Sequence, residues 1–486
     1  MPPKPSARSP RPKRDLKAWM ERVLEKASDV EKDFDTGSVH DLRVALRHCR
    51  SIALGLEALD PAAQWARMNK AAKKLLRGMG GLRDAHVIEK TVKKLGMKES
   101  TSGRSLLLQM ERCAKKGKRQ ARKRLRAFDR KQWRGWIDEL PGRAAHLRMN
   151  SSAAELIVLT WWNDAWERHQ AAMQSRSKTE IHRLRIGLKR LRYSAESFLP
   201  ACYVQWGRDL QKLQDLLGDV HDLDVLQGEL SSLLPAVSKT ERKKWRAAIQ
   251  ARRAPKLREY REKMSGPKSK WHQWRSSLPE GKNLDRARAA WLGVWASYLD
   301  PDPDHSRRVA RLAVGIYDGL AAAGLAGMDI APARSLLEAA ALAHDAGRSY
   351  GEKHHRKATY KLVLKQAPPH GWTFAHMEMI AQIARYHRGG LPDQQSKTWA
   401  SIYREDGAGI LLLSGILRLA SALANDRATN ITRLRVRREG ESVAIRAAGY
   451  REIGPFASHV AEARHLLEIE LNLPVLVMAA PNPASA

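Results

Sequence analysis

Four side chains that can carry positive charge share one helical stripe early in the sequence. In HDLRVALRHCR the spacing places His40, Arg43, Arg47 and Arg50 within about 80° of arc. Leu42, Ala45, Leu46, Cys49, Ile52 and Ala53 fall on the opposite side, so one face packs and the other presents cations. The same grammar returns in HRLRIGLKRLR, where His182, Arg185, Lys189 and Arg192 take the four slots with Leu184, Leu188, Leu191 and Ala195 behind them. Guanidinium forks grip pairs of oxygens, ammonium groups act as compact point charges, and a rigid helix fixes their spacing. That chemistry suits capture of a polymer of repeated anionic oxygens. His40 and His182 either hold a proton beside such a polymer or hydrogen-bond as neutral rings.

These stripes need helices around them, and the neighbouring sequence supplies a second basic one. Lys70, Lys73, Lys74 and Arg77 lie along one face, followed by Gly80-Gly81 and LRDAHVI, with Asp84. In the later copy Arg208 and Lys212 occupy the slots of Lys70 and Lys74, Gly218 matches Gly80, and Asp222 in VHDLDVL matches Asp84. Gln211 and Asp215 replace Lys73 and Arg77, which makes that copy less basic. The region reads as an internal duplication at about 38–98 and 180–235: stripe helix, basic helix, glycine turn, Asp helix. Asp84 and Asp222 are expected to orient neighbouring Arg or Lys, or to coordinate a cation bound with phosphate.

Bulk composition agrees. The 486 residues hold 87 Lys and Arg against 52 Asp and Glu, a formal net charge of +35. Residues 1–282 carry 62 basic against 32 acidic side chains, and residues 283–486 carry 25 against 20. An excess of this size calls for a polyanionic partner: nucleic acid, anionic lipid or inorganic polyphosphate. Three cysteines without metal spacing exclude a disulfide framework and a cysteine zinc site. No apolar run is long enough to span a membrane, and residues 1–14 lack the apolar core of a secretory signal, so a disordered basic tail is expected there.

Helical periodicity dominates 15–263, interrupted at Pro61, Pro141, Pro200, Pro235 and Pro255. The very basic run 112–134 reads as a solvated helix face or an additional phosphate-contacting surface. Trp133, Trp136, Trp161, Trp162 and Trp166 at helical spacing read as core, with base stacking as the alternative. A Gly, Pro and Ser-rich stretch marks a linker at 266–283. Beyond about Asn425, residues 431–449 alternate as two strands around Glu439-Gly440, followed by a helix and the strand Pro474 to Met478.

The second part of the chain offers ordered histidines: His305, the pair His344-Asp345, His354-His355 and His387. Imidazole and carboxylate together suit a divalent metal (Mn, Mg, Fe or Zn) and phosphate-ester chemistry, with His305, His344, Asp345 and His387 as candidate ligands.

HDLRVALRHCR, LRDAHVI, HRLRIGLKRLRYSAESF and LQDLLGDVHDLDVL closely resemble the CHAD domain, the conserved histidine α-helical domain, over about 15–265. The resemblance implies two helical bundles related by a pseudo-twofold axis, a basic groove, and binding of inorganic polyphosphate. By motif position His40, Arg43, Arg47, Arg50, His182, Arg185, Lys189 and Arg192 would line that groove, extended by Lys70, Lys74, Arg77, Arg208 and Lys212. Residues 284–478 resemble an HD-type domain, and more closely the C-terminal region of the exopolyphosphatase and guanosine pentaphosphate phosphatase family. Ser421, in ILRLASALANDR, stands where HD enzymes carry a late Asp ligand; Asp426 lies about 140° further round that helix. Lys357 stands where members carry another His.

The expected fold is thus mainly all-α: duplicated antiparallel helical bundles, then an HD-type helical domain with a small C-terminal α+β appendage, and a disordered tail at 479–486. The expected function is polyphosphate binding by a cytoplasmic protein, on polyphosphate granules, with an accessory or degenerate HD domain and no membrane partner. A metal-dependent phosphohydrolase that captures substrate with the basic domain is the alternative, and a nucleic-acid-binding protein a further one.

Overall fold

A computed structural model describes residues 15–175, 177–233, 238–325, 332–351, 354–390, 407–425, 431 and 433–480. The tail 1–14, Pro235 and Asp426 lie outside the described residues. Helices dominate, and the chain divides into two compact units between Leu278 and Pro279.

The first unit is a series of helical hairpins: α1 (Leu16–Lys32), α2 (Thr36–Leu56), α3 (Gln64–Gly78), α4 (Gly80–Lys94), α5 (Thr101–Arg126) and α6 (Arg130–Ala144), then α7 (Ser152–Ser175), α8 (Lys178–Phe198), α9 (Pro200–Leu233), α10 (Lys239–Met264) and α11 (Lys270–Arg275). The repeat shows even in the caps. Asp35 accepts from the Gly37 and Ser38 N–H groups to start α2, and Ser177 accepts from the Glu180 N–H to start α8, in the same register before each stripe. Equivalent helices meet: α2 packs on α8 and α4 on α9. One bundle core draws on both copies, with Ile88 and Val92 of α4, Leu106 and Met110 of α5, Leu223, Leu226 and Leu230 of α9, and Trp245 and Ile249 of α10.

Three features differ from the sequence reading. The glycine turn exists only in the first copy, where the break between α3 and α4 falls at Met79; α9 runs unbroken through Gly218. Two adjacent glycines weaken helix more than one does. Pro141 and Pro255 sit inside α6 and α10 rather than ending them. The stretch expected as a linker at 266–283 contains α11, whose Trp271 and Trp274 are fully buried against Trp162, Trp166 and Trp206, and its last residues begin α12. Burying two indoles three residues apart on one helical face outweighs the loop signals around them.

The second unit contains α12 (Gly281–Ser297), α13 (Pro303–Ala322), α14 (Ala333–Ala343), α15 (His355–Lys365), α16 (Phe374–Arg385) and α17 (Gly407–Ala424). Against α13 lies a three-stranded sheet ordered β1 (Leu434–Glu439), β2 (Ser442–Ala447), β3 (Val475–Ala479). β1 and β2 form the hairpin at Glu439-Gly440, where Gly440 has φ +59°, and β3 joins β2 in parallel after α18 (Pro455–Ala463) and α19 (His465–Leu471). Ala479, expected to begin a disordered tail, pairs with Ala447 as the last residue of β3. No described helix is long and apolar enough to cross a membrane.

Candidate functional site

In the first unit the two stripes converge. Leu42, Leu46, Cys49 and Ala53 of α2, and Leu184, Leu188, Leu191 and Ala195 of α8, are buried. Their packing turns the opposite faces toward shared space. Burial, then the nearby charges of Arg47, Arg83 and Arg185, pushes the Arg43 guanidinium down to about 10. Arg185 is pushed to about 10 by burial and by Arg83 and Arg47, and its Nε is buried without a hydrogen-bond partner. Burial and the four cations Arg47, Arg185, Arg83 and Arg43 push the Lys189 ammonium down to about 6. Five basic groups from both copies thus feel one another directly.

Arg83 is the member that sequence reasoning missed. Its Nη1 donates to Asp84 Oδ1 at 3.0 Å and its Nη2 to Asp222 Oδ1 at 3.2 Å, so one guanidinium ties together the two repeat-equivalent carboxylates. His221, in the equivalent slot before Asp222, brings its Nδ1 within 3.2 Å of His182 Nδ1. Burial first, then Arg185, pushes His221 down to about 3, and His182 is lowered for the same reasons. The position preceding each Asp carries Arg in one copy and His in the other, so identity between the copies does not single it out.

The outer slots are unequal. Arg43 donates to the Leu76 carbonyl at 3.1 Å, and Arg50 Nε donates to Asn69 Oδ1 at 2.9 Å. Arg192 is taken up by the Tyr203 hydroxyl and Gln214 Oε1, both 3.2 Å away, with its guanidinium over the Tyr193 ring. His40 is exposed in the first turns of α2, unlike its half-buried counterpart His182. Lys70, Lys74 and Arg77 on α3, and Arg208 and Lys212 on α9, are exposed and have no hydrogen-bond or ion-pair partner among the described residues. Gln211 donates to Asp215 in place of a basic pair. The basic run on α5 is an exposed face, with Lys118 and Arg122 over the Phe34 ring. Trp133, Trp136 and Trp162 are core and Trp166 packs on Trp162 and Trp271; Trp161 is half-exposed.

The second unit assembles the histidines. Asp302 caps α13 by accepting from the His305 N–H at 3.1 Å. His344 and Asp345 end α14, His355 starts α15 and His387 follows α16. Donor atoms of His305, His344 and Asp345, and of Asp345, His355 and His387, form two groups, each within 4.8 Å, that share Asp345. His355 is an addition to the expected set. The Nδ1 atoms of His344 and His387 sit 2.7 and 2.6 Å from the Ala341 and Ala384 carbonyls, and their Nε2 atoms are buried with no hydrogen-bond partner. This is the orientation metal-binding imidazoles take: one nitrogen anchored, the other aimed at the site. Burial drives His305 down to about 4 and His387 well below its ordinary value, which keeps both neutral, as a ligand must be. The donor set fits a nitrogen-preferring divalent ion. On the α17 side, buried Ser421 accepts from Arg388 Nη2 at 3.2 Å, so a cation stands beside the position of the expected carboxylate. Arg348 Nη1 donates to Asp345 Oδ2 at 3.1 Å.

Comparison with known proteins gives two family matches: the CHAD domain over residues 14–231 and the Ppx/GppA phosphatase domain III over residues 296–473. Among solved structures, the CHAD domain from the plant Ricinus communis is 21% identical, covering 55% of this chain and 89% of its own, with a TM-score of 0.37. No curated protein matches the chain.

Proposed function

We infer that this chain, which matches the CHAD domain and the Ppx/GppA phosphatase domain III, has a polyphosphate-related function and binds inorganic polyphosphate along the paired stripes of its first unit. The observation that carries the reading is the closed set Arg43, Arg47, Arg83, Arg185 and Lys189, in which the two flanking carboxylates are both held by Arg83. Like charges at this density repel unless an anion joins them, and a flexible chain of phosphates supplies oxygens at the required spacing. Lys70, Lys74, Arg77, Arg208 and Lys212 extend the track as exposed point charges, and His40 and His182 begin its two stripes.

The test is binding of long-chain polyphosphate to the full chain across a salt series. Affinity falls steeply with salt, as counterion release requires, and Arg43→Ala with Arg185→Ala weakens binding at least about tenfold and reduces the slope. Duplex DNA competing equally at physiological salt would transfer the site to nucleic acid.

The orphaned Nε2 atoms of His344 and His387 favour a second reading, a metal-dependent phosphohydrolase that captures its substrate through the basic unit. His305, His344, Asp345 and His387, with His355, would hold the ion. A bound Mn, Fe or Zn supplies Lewis acidity and a nucleophilic water. Arg388 beside Ser421 lowers the demand for a cation there, which supports an accessory rather than catalytic domain. Stoichiometric metal together with phosphate release from polyphosphate would establish the enzyme; metal without release leaves the accessory role.

A further inference from the structure

Beside the cationic cluster, helices α2, α7 and α8 line a half-open pocket of about 220 Å³. Arg47, Arg50 and Arg190 supply guanidinium groups to its wall and Lys189 an amine, one pair of basic residues from each copy of the repeat. Apart from Ser51, the rest of the wall is apolar and aromatic: Leu54, Ile186, Trp161 and Tyr193. An inorganic phosphate chain has no surface to place on such a wall. Trp161 is half-exposed, has no ring contact with another aromatic residue among those described, and carries the Arg190 guanidinium 5.5 Å over its ring. A half-open indole beside three guanidinium groups and an amine suits a planar ring attached to phosphates, since bases stack on indoles whatever their identity.

We propose that this pocket is an end site for a nucleoside polyphosphate, with the base against Trp161 and the phosphates running onto Arg47, Arg50 and Lys189. The proposal rests on the polyanion reading of the stripes and adds a ligand class to it. The pocket's volume of about 220 Å³ admits one base.

The experiment compares a nucleoside triphosphate with inorganic tripolyphosphate, two ligands of similar charge, by calorimetry on the full chain without metal. The nucleotide binds about tenfold more tightly. Trp161→Leu removes that advantage and leaves tripolyphosphate binding unchanged, and Trp161→Phe keeps most of it. Equal affinities in the native protein, or an advantage that survives Trp161→Leu with the fold intact by circular dichroism, overturns the end site while the polyphosphate track stands. Failure of both tripolyphosphate and long-chain polyphosphate to bind overturns the track and the end site together.

Discussion

At the scale of the residue, Lys189 concentrates the argument. Its amine is largely neutral above about pH 6, because burial and then Arg47, Arg185, Arg83 and Arg43 oppose its charge. Phosphate oxygens placed beside it reverse that balance, so the bound state takes up a proton that the free state lacks. Affinity therefore rises as pH falls from about 8 to about 6, and levels off once the free amine is itself charged. His182 and His221, held down by burial and the same cations, add to the same sign. Calorimetry in buffers of different ionisation enthalpy measures the uptake directly. Lys189→Met reduces it and flattens the pH profile, and raises rather than lowers Tm, since a methionine removes the cost of discharging a buried amine on folding. Undiminished uptake in that variant, or affinity that climbs with pH, rules the account out. The stripes were legible because helical spacing alone sorts cations from leucines. The depth of Lys189 was not legible, because its burial is set by helices remote in sequence, and Arg83 and His221 were not legible because the two copies place different residue types in that slot.

At the scale of the element, close approach between helices sets where the site residues stand. Gly117 of α5 lies against the start of α4: a Cβ there would come within 2.6 Å of the Leu82 amide nitrogen and 3.0 Å of its Cα. Backbone cannot yield as a side chain can, so Gly117→Ala pushes α4 off α5, and Arg83 and Asp84 with it. The expected loss is about 1–3 kcal/mol in urea unfolding, with weaker polyphosphate binding. Gly135 of α6 faces open space, and Gly135→Ala should be neutral or stabilise by up to about 1 kcal/mol. If the two variants unfold alike, the close contact is not what holds α4. The helical architecture and the duplication were readable from period and repeat. The failures were local: one glycine in α9 did not make a turn, and Trp271 with Trp274 drew a presumed linker into the first core.

At the scale of the whole molecule, charge and metal-type chemistry are segregated. Residues 1–282 carry the surplus of basic side chains and residues 283–486 are nearly balanced, while the histidine cluster belongs wholly to the second unit. A ligand that binds only the folded form of one unit stabilises it by mass action, about 2.7 kcal/mol at a hundredfold excess over Kd. Calorimetry of the full chain should then resolve two unfolding steps that respond to different ligands. Long-chain polyphosphate raises the step that Gly117→Ala lowers, because both act on the first unit. Mn or Zn raises the other step, and His344→Ala cancels that effect. High salt shifts the first step upward by screening its self-repulsion and erodes the benefit of polyphosphate at the same time. A single step moved equally by both ligands would mean that the units do not act separately. A polyphosphate effect confined to the step that His344→Ala alters would move the anion site to the second unit and remove the basis for reading the stripes as the track.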